Sequence, residues 1–435
     1  MNNNLNFVEW LRAVAPYIHA FRGKTFVVAF PGELVRAGAL PVLAHDLSLI
    51  HALGIKVVIV HGSRPQIEEQ LKLRKIVSTY YKGKRLTDQI ALECVKEASG
   101  ELRLDIEAAF SQGLPNTPMA NSAIRLISGN FVTARPIGIL NGIDYEHTGI
   151  AHKIAFASIH SILNNGELIL LSPLGYSATG EVFNLTMEDV ALKTAISLKA
   201  DKLIFLTENK ILTNESNIEI REIFSNKASE ISNLPIPPES RLYFDSAINA
   251  SKEGVKRSHI IPFNVDGSLL LEIFTHSGIG TMITSENLES LRDATTDDVP
   301  SILRLIEPLE IDGTLVKRGR ELIEREAENF SVIEHDGVIF GCAALYPFPK
   351  EKMFELACLT VNPKSQGQGE GERLLKHLEN KGRKLGYKKI FVLTTRATHW
   401  FLKRGFINAV FDELPQNRQN MYNWQRKSQV LIKKL

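Results

Sequence analysis

The fold of the carboxy-terminal part of this chain is decided by a glycine-rich stretch, VNPKSQGQGEGERLL, which runs from Val361 to Leu375. An apolar strand pattern ends at Val361, and a helical pattern begins near Glu370. Glycine lets the backbone approach a ligand and turn its N–H groups toward it. The start of the helix adds unpaired donors and the positive end of the helix dipole. The stretch therefore predicts a pyrophosphate-binding loop, with a plain turn before a helix as the alternative.

The sequence pattern on both sides of this loop, over residues 291–435, predicts an α/β domain with a mixed sheet. Apolar runs rich in β-branched residues indicate strands, and apolar positions three to four residues apart indicate helices. Asp336-Gly337 is a two-residue hairpin signal. The predicted elements are helices 297–307 and 316–329, strands Val332–His335, Val338–Tyr346 and Met353–Val361, helix 370–385, strand 390–394, helix 397–403 and two closing strands.

The loop also carries a resemblance to a known family. Its residues Gln366-x-x-Gly369-x-Gly371 are similar to the Q/R-x-x-G-x-G/A signature of the GCN5-related N-acetyltransferases. This resemblance implies acetyl-CoA as co-substrate and a strand before the loop that splays from its neighbour. It implies that Leu359 and Val361 hold the pantetheine arm and the thioester through their backbone groups. The residues expected to bind the pyrophosphate are Gln366, Gly367, Gln368, Gly369 and Gly371.

Four longer strings narrow the resemblance. GCAALYPF (341–348), ELACLTV (355–361), FVLTTRATHWFLKRGF (391–406) and NWQRKS (423–428) resemble the acetyltransferase domain of the N-acetylglutamate synthase family. That family implies an acyltransferase that moves acetyl from acetyl-CoA to the α-amine of L-glutamate, the first step of arginine biosynthesis.

An acetyl transfer to an amine needs a base and a donor for the leaving thiolate. The base must remove a proton from the ammonium before attack. Glu355, at the start of the strand before the loop, matches the family's base, and a surface strand glutamate is the alternative. Thr394 or Thr395 matches the family's hydroxyl near the thiolate, and Thr394 is the preferred residue. A threonine hydroxyl is a poor acid, so hydrogen bonding is the role expected of it.

A substrate with two carboxylates calls for two cationic groups, ideally guanidinium forks. The family's substrate arginines match Arg318 and Arg426 in this chain. Lys317 is a further candidate, and Arg320 and Lys427 are close alternatives. Cys358 lies on the acetyl-CoA strand, where a backbone contact to substrate is expected rather than thiol catalysis.

The first 283 residues predict a second α/β unit, an open sandwich with a mainly parallel sheet. Short, almost wholly apolar runs are typical of strands that are buried on both faces. Residues 284–290 are polar and are expected to form the linker. The predicted strands are Thr25–Phe30, Lys56–His61, Leu168–Leu171, Lys202–Thr207 and His259–Pro262, and the predicted helices are 4–20, Val42–Leu53, 186–199 and 245–256.

This unit resembles the amino acid kinase family, and acetylglutamate kinase in particular, through 60–67 (VHGSRPQI), 187–191 (MEDVA) and 274–281 (FTHSGIGT). It departs from active kinases at the residues that carry charge. Ala29-Phe30-Pro31-Gly32 stands where those enzymes have a lysine, and Ser63-Arg64 replaces two glycines of the phosphate loop. Residues 234–238 (LPIPP) occupy the region of a second lysine. Since phosphoryl transfer depends on positioned positive charge, we expect no kinase activity.

A kinase-like unit without kinase residues suggests regulation and assembly. In arginine-sensitive relatives a leading helix interlaces subunits into a hexamer, and L-arginine binds near that helix. The helix expected at 4–20 could pair with another subunit in this way or cover its own domain. The sign of the arginine effect and the oligomer size stay open. The residues that match or lie near the arginine pocket are Tyr17, Lys202, Glu272, Gly278 and Gly280.

The composition of the chain argues against several other classes of function. The chain has 51 Lys and Arg against 49 Asp and Glu, which argues against a nucleic-acid binder. Its three cysteines form no C-x-x-C pair, so a reducing compartment is expected. No stretch has the length of a membrane span, and MNNNLNFVEW lacks signal-peptide features, so the predicted location is cytoplasmic. No His, Cys and Asp cluster has metal-ligand spacing, so no metal is expected.

Several alternatives to an arginine-regulated glutamate acetyltransferase remain at this point. The chain could be an acetylglutamate kinase or a bifunctional synthase and kinase, although Ala29 argues against both. It could be a non-catalytic amino-acid sensor, although the phosphate loop together with Glu355 argues against that. It could acetylate another amino acid or a protein lysine, although the paired arginines favour a small diacid.

Overall fold

The structure, a computed structural model, describes residues 2–81, 83–113, 117, 119–121, 124–208, 220–225, 238–275, 278–285, 290–335, 337–363, 366–367 and 369–435. The chain forms two compact units, residues 1–287 and 288–435. The predicted linker, 284–290, shares its first and last residues with the strands that flank it. Residues 286–289 and the predicted region 234–237 lie outside the described residues.

The first unit alternates helices with strands, as its apolar runs predicted. Its helices are α1 (Asn2–Phe21), α2 (Gly32–Arg36), α3 (Leu40–Ala52), α4 (Arg64–Leu73), α5 (Gln89–Phe110), α6 (Phe156–Asn164), α7 (Met187–Leu198), α8 (Pro238–Lys252) and α9 (Ser268–Phe274). Its strands are β1 (Thr25–Phe30), β2 (Lys56–His61), β3 (Tyr80–Tyr81), β4 (Lys84–Arg85), β5 (Leu126–Ser128), β6 (Val132–Pro136), β7 (Ile139–Leu140), β8 (Ile143–Asp144), β9 (Gly149–Ile154), β10 (Leu168–Leu171), β11 (Leu174–Tyr176), β12 (Val182–Asn184), β13 (Lys202–Thr207), β14 (Glu222–Phe224), β15 (Arg257–Pro262) and β16 (Thr281–Thr284).

The main sheet of this unit has eight strands in the order β14-β16-β15-β13-β1-β2-β10-β5. All neighbours are parallel except β15 and β16. The central strands are buried on both faces, and Val27, Val58 and Phe205 have no exposed surface. This explains their continuous apolar runs, and it confirms the predicted, mainly parallel α/β sandwich. A second sheet has the order β12-β11-β6-β9.

The second unit is built around one mixed sheet. Its strands are β17 (Ser290–Asp293), β18 (Phe330–His335), β19 (Val338–Phe348), β20 (Met353–Val361), β21 (Lys389–Thr394), β22 (Ile407–Ala409) and β23 (Gln429–Lys434). Its helices are α10 (Val299–Ile311), α11 (Arg320–Arg325), α12 (Glu370–Lys384), α13 (Thr398–Leu402) and α14 (Gln416–Asn420), with 3₁₀ turns at Thr296–Asp298, Ala327–Asn329, Phe411–Glu413 and Trp424–Arg426.

The sheet order is β17-β18-β19-β20-β21-β23-β22, and β20 with β21 is its parallel pair. Helix α12 packs on the sheet through a buried leucine stripe, Leu374, Leu375 and Leu378. The predicted strand 353–361 and helix 370–385 are confirmed to within one residue. The predicted helix 316–329 is wrong in extent. Gly319 has extended backbone and caps a helix of six residues, 320–325.

Candidate active site

The parallel pair β20 and β21 separates after a short contact. The register joins the two strands at Met353, Phe354 and Glu355 of β20, whereas residues 356, 357, 360 and 361 pair with β19 and not with β21. The β21 side of this stretch therefore has backbone N–H and C=O groups without a strand partner. A substrate arm could lie in this gap as an additional strand would. Leu359 and Val361, both half-buried, lie on this part of β20.

A bulge lies in the same stretch. The register of β19 and β20 shifts between Cys342 and Ala344, and Cys358 has a left-handed backbone with φ 52°. Such a conformation is uncommon for a residue other than glycine and re-aims the neighbouring groups. Cys358 is buried, and burial raises the pKa of its thiol to about 11. The thiol is therefore neutral near pH 7, which argues against thiolate chemistry at this position.

The glycine-rich loop follows β20 and leads into α12. Gly367 and Gly369 have positive φ, 88° and 99°, and a Cβ at either would meet nothing within 4 Å. Since space is available around both positions, crowding does not explain the glycines. Their positive φ angles do, because residues with a Cβ rarely adopt them. Gln366 donates from Nε2 to the Val361 carbonyl at 3.0 Å. At Gly371 a Cβ would approach the Trp400 ring at 3.3 Å, so the helix start packs closely there. Gln368 lies outside the described residues.

Glu355, the predicted base, is 7% exposed, and an arginine covers it. Arg418 on α14 donates from Nε to Oε2 at 2.7 Å and from Nη2 to Oε1 at 3.2 Å. This is a two-point guanidinium–carboxylate pair, and its partners are 16% and 10% exposed in their side chains. The sequence did not single out Arg418, because it belongs to no motif and reaches Glu355 only through folding.

Thr394 is buried at the end of β21, whereas Thr395 is exposed. The Thr394 Oγ1 accepts hydrogen bonds from the backbone N–H of Ala397 at 2.9 Å and of Arg396 at 3.4 Å. These contacts use the oxygen as an acceptor and leave its hydrogen as the group to donate. The geometry favours Thr394 over Thr395 as a hydrogen-bond donor in the gap.

Arg318 lies beside Glu355 and Cys358. Its guanidinium is 5.7 Å from the centre of the Tyr346 ring, and Tyr346 is opposite Glu355 in the strand register. Burial alone would lower the pKa of this guanidinium, but the nearby ionisable groups of Cys358, Tyr346 and Glu355 raise it. The predicted residues Arg318, Cys358 and Glu355 thus come together at one place.

Arg426 reaches the loop that precedes Arg318. Its Nη2 donates to the carbonyl oxygens of Gly313 at 3.0 Å and Thr314 at 2.8 Å. The other cations of the predicted set, Lys317, Arg320 and Lys427, are exposed. Arg320 donates to Glu324 one helical turn along α11 at 2.6 Å. Among the predicted cations, Arg318 is therefore the one for which the structure shows an electrostatic interaction with Glu355.

The predicted effector residues of the first unit surround Glu272. This carboxylate is 8% exposed and accepts from the N–H groups of Ile279 at 2.7 Å and Gly280 at 2.8 Å. The other oxygen lies 2.7 Å from the His259 Nδ1. Burial would raise the pKa of Glu272, but the hydrogen bond and charge of His259 and the two N–H groups lower it to about 2. The carboxylate is therefore held in its charged form.

The same cluster extends to α1. Nζ of Lys202 lies 3.3 Å from the His259 Nε2 and 5.0 Å from the centre of the Phe21 ring. Tyr17 packs on Phe21 with ring centroids 6.2 Å apart. Gly278 has φ 53°, and a Cβ there would lie 2.5 Å from the Glu272 Oε2. All five predicted effector residues thus belong to one buried cluster, and His259, which the sequence did not single out, joins Lys202 to Glu272.

The first unit also contains a cleft of about 180 Å³ at the carboxyl ends of β1 and β2. Ser63 and Arg64 line it, as do the carboxylates of Glu33, Glu188 and Glu208. The Arg64 guanidinium lies 5.0 Å from the centre of the Tyr80 ring. Ala29 is fully buried in β1, where the kinase resemblance expects a lysine.

Among the described residues no group of three or more His, Cys, Asp or Glu side chains could hold a metal ion. Across the same part of the chain, no helix combines the length and the apolar character that a membrane crossing needs.

Comparison with known families and proteins agrees with both units. Residues 24–261 match the amino acid kinase family, and residues 296–406 match the acetyltransferase (GNAT) family. The amino-acid acetyltransferase of Ralstonia nicotianae is 59% identical over 430 residues, which cover 99% of this chain and 95% of that protein. The amino-acid acetyltransferase of Ectopseudomonas mendocina is 46% identical over 431 residues, which cover 99% and 100%.

Solved structures give the same result. N-acetylglutamate synthase from Neisseria gonorrhoeae, crystallised with coenzyme A and L-arginine, superposes with a TM-score of 0.88 at 37% identity, and the match covers 99% of both chains. The same enzyme with coenzyme A and N-acetyl-glutamate gives a TM-score of 0.63 at 38% identity, again over 99% of both chains. This chain therefore belongs to the amino-acid acetyltransferase family and is an enzyme of the acyltransferase class.

Proposed function

We propose that the chain transfers the acetyl group of acetyl-CoA to the α-amine of L-glutamate and releases N-acetyl-L-glutamate and CoA. The observation that carries this proposal is the meeting of Glu355 with two guanidinium groups, Arg318 and Arg418, beside the gap between β20 and β21. A base next to paired cations suits an amine that carries two carboxylates. The similarity to a synthase crystallised with N-acetyl-glutamate supports the same acceptor.

In the proposed reaction the glycine loop and the start of α12 hold the pyrophosphate of acetyl-CoA. The pantetheine arm lies along residues 359–361, whose backbone N–H groups polarise the thioester carbonyl. Glu355 takes a proton from the substrate ammonium, directly or through water. The amine then attacks the carbonyl carbon, the N–C bond forms, and the C–S bond breaks. The Thr394 hydroxyl donates a hydrogen bond to the departing thiolate.

We assign the glutamate carboxylates to Arg318 and Arg426, with Arg418 as a further guanidinium that one of these carboxylates can contact, Lys317 as an outer contact and Cys358 as a backbone contact. Arg426 is tied to the Gly313 and Thr314 carbonyls, so it also fixes the loop that leads to Arg318. Which arginine binds which carboxylate stays open. The alternative acceptors, another amino acid or a protein lysine, would leave one or both guanidinium groups without a carboxylate partner.

The first unit has a proposed regulatory role as the site of L-arginine. A charged, buried carboxylate at Glu272 suits a guanidinium, and the glycine backbone at 278–280 suits an α-carboxylate. Phe7, Trp10 and Leu11 on α1 are 59%, 52% and 45% exposed, which supports the pairing of this helix with another subunit. A hexameric assembly and a cytoplasmic location stay predictions. Kinase activity is not expected, because Ala29 supplies no cation.

Thiol release from acetyl-CoA, measured on the purified chain with and without L-glutamate and L-arginine, tests the proposal. We expect release that depends on glutamate and falls when arginine is added. Glutamate-dependent release that does not change when arginine is added would contradict the regulatory role and still support the acetyl transfer. No release above the blank without glutamate would remove glutamate as the acceptor, and other amines would then be screened.

A further inference from the structure

The pair between Arg418 and Glu355 poses a problem for the proposed chemistry. A general base must present an open lone pair to the proton that it takes. Here each oxygen of Glu355 accepts from one guanidinium, at 2.7 and 3.2 Å, and with this arginine in place the residue is 7% exposed. The arginine uses one lone pair of each oxygen, so it competes with an ammonium group or a water molecule for the base.

Arg418 is placed so that it can exchange partners. It lies on a helix of only five residues, in the segment between β22 and β23, where Met421 and Trp424 are 65% and 66% exposed. Its Nη1 donates to the Met421 carbonyl within its own segment at 3.2 Å. A turn of the guanidinium from Glu355 to another carboxylate therefore exchanges one charge-assisted pair for another.

The proposed substrate carries the same chemical group that Arg418 now binds. A carboxylate of glutamate and the carboxylate of Glu355 compete for the same pair of N–H donors with the same geometry. Arg318 interacts electrostatically with Glu355 and adds a second positive charge that attracts an incoming dicarboxylate.

We propose that Arg418 is a substrate-sensing positioning residue that keeps Glu355 covered until a carboxylate of the acceptor takes its place on the guanidinium. This inference rests on the proposed function, because it takes Glu355 as the base and a dicarboxylate as the acceptor. Acceptor binding then uncovers the base at the moment when an amine is present to use it.

The benefit of such a contact is protection of the thioester. If Glu355 were open while acetyl-CoA was bound alone, it could take a proton from water. The hydroxide oxygen would bond to the carbonyl carbon, the C–S bond would break, and acetate and CoA would leave, with the proton passing to the thiolate. The covered base suppresses this hydrolysis, and the acceptor restores the base for acetyl transfer.

Glutarate provides the test, since it has both carboxylates of glutamate and no amine. Hydrolysis of acetyl-CoA by the full chain is followed as acetate release with and without glutarate, for the wild type, Arg418→Met and Glu355→Gln. Arg325→Met is the matched control, because Arg325 is 74% exposed and lies on α11. Binding of CoA by each variant, measured by calorimetry, shows that the fold and the cofactor loop are intact.

We expect glutarate to raise hydrolysis by the wild type and by Arg325→Met about tenfold, a small part of what a positioned base supplies. Arg418→Met should hydrolyse acetyl-CoA at the raised rate without glutarate and respond to it no further. Glu355→Gln should stay low in both conditions. A merely structural loss at Arg418 would lower hydrolysis, whereas the proposal requires a gain.

Two results would overturn the inference: no stimulation of the wild type by a concentration of glutarate that inhibits glutamate acetylation, or hydrolysis by Arg418→Met at the wild-type rate. If Arg418→Met fails to bind CoA, the wild-type response to glutarate decides alone. Acetylation of glutamate is measured on the same wild-type sample. Its absence would sink the proposed function, whereas its presence without a glutarate effect would sink only the role of Arg418.

Discussion

The two units of this chain differ in which charged side chains lie at their open clefts. The first unit has a cleft of about 180 Å³, and two of the cations that line it have protein partners, with Arg85 bound to Glu68 at 2.8 Å and Arg64 against Tyr80. The second unit has a gap between β20 and β21, with unpaired strand backbone on one side and a carboxylate that interacts with two guanidinium groups.

We predict from this comparison that the first unit keeps a cleft without keeping kinase activity. Phosphoryl transfer needs cations against the transferred group, and the buried methyl of Ala29 cannot supply one. Acetyl transfer needs a base and N–H donors against a thioester, and in the proposed reaction Glu355 and the backbone of residues 359–361 in the second unit provide them. The following variants test this contrast, in order of expected effect on acetyl transfer.

Glu355→Gln should have the largest effect. Loss of the base should lower kcat by roughly 10²–10⁴, the usual contribution of a positioned general base. Steady-state kinetics with glutamate and acetyl-CoA measures the change. Glu351→Gln, in the exposed turn before β20, is the control that should leave kcat unchanged. A fall of less than about twofold in Glu355→Gln would place the base elsewhere.

Arg318→Met should act mainly on the acceptor. Loss of a charge-assisted hydrogen-bond pair of roughly 1.5–3 kcal/mol should raise the KM for glutamate by about 10- to 100-fold. The KM for acetyl-CoA should stay near the wild-type value, because the cofactor loop is not changed. If both KM values rose equally, a general loss of structure would explain the result better than a lost substrate contact.

Thr394→Val should have a smaller effect, because its hydroxyl is expected to donate a hydrogen bond and not a proton. Loss of one such bond corresponds to about a tenfold fall in kcat. Thr395→Val, at the exposed neighbour, is the comparison that separates the two candidate hydroxyls. A larger fall for Thr395→Val would reverse the assignment.

Glu272→Gln should leave acetyl transfer unchanged and alter the stability of the first unit. The pKa of Glu272 is lowered from 4.5 to about 2, so its charged form stabilises the folded state on the order of 3 kcal/mol. This contribution is fully present above pH 4.5 and disappears as the pH falls toward 2. Urea unfolding at pH 6, 4.5 and 3 should show the gap between wild type and variant closing. A gap that is constant with pH would contradict this account.

Local patterns predicted much of the fold because they depend on neighbours in sequence. The apolar run of β20 and the leucine stripe of α12 gave bounds within one residue. Helix 316–329 was predicted too long, since Gly319 fixes the start of a short helix that the apolar spacing does not mark. The left-handed backbone of Cys358 and the bulge beside it have no local sequence signal.

The same distinction between local patterns and partners distant in sequence applies to the candidate site. Glu355, Arg318 and Cys358 were predicted through motifs and come together in the structure. Arg418 and His259 were missed because their partners lie 63 and 13 residues away in sequence. A polar side chain within an apolar buried strand, such as His259 in β15, is the signal that could have drawn attention to the buried cluster.

One reaction tests the contrast between the units most directly. The full chain is given ¹³C-acetyl-CoA, L-glutamate, ATP and Mg²⁺, and the mixture is followed by ¹³C and ³¹P NMR. The account predicts that ¹³C-acetyl appears on the glutamate amine while ATP stays intact and no acyl phosphate forms. An acyl phosphate signal that grows with the acetylated product would contradict it. The first unit would then carry out the phosphoryl transfer that its residues are predicted not to support.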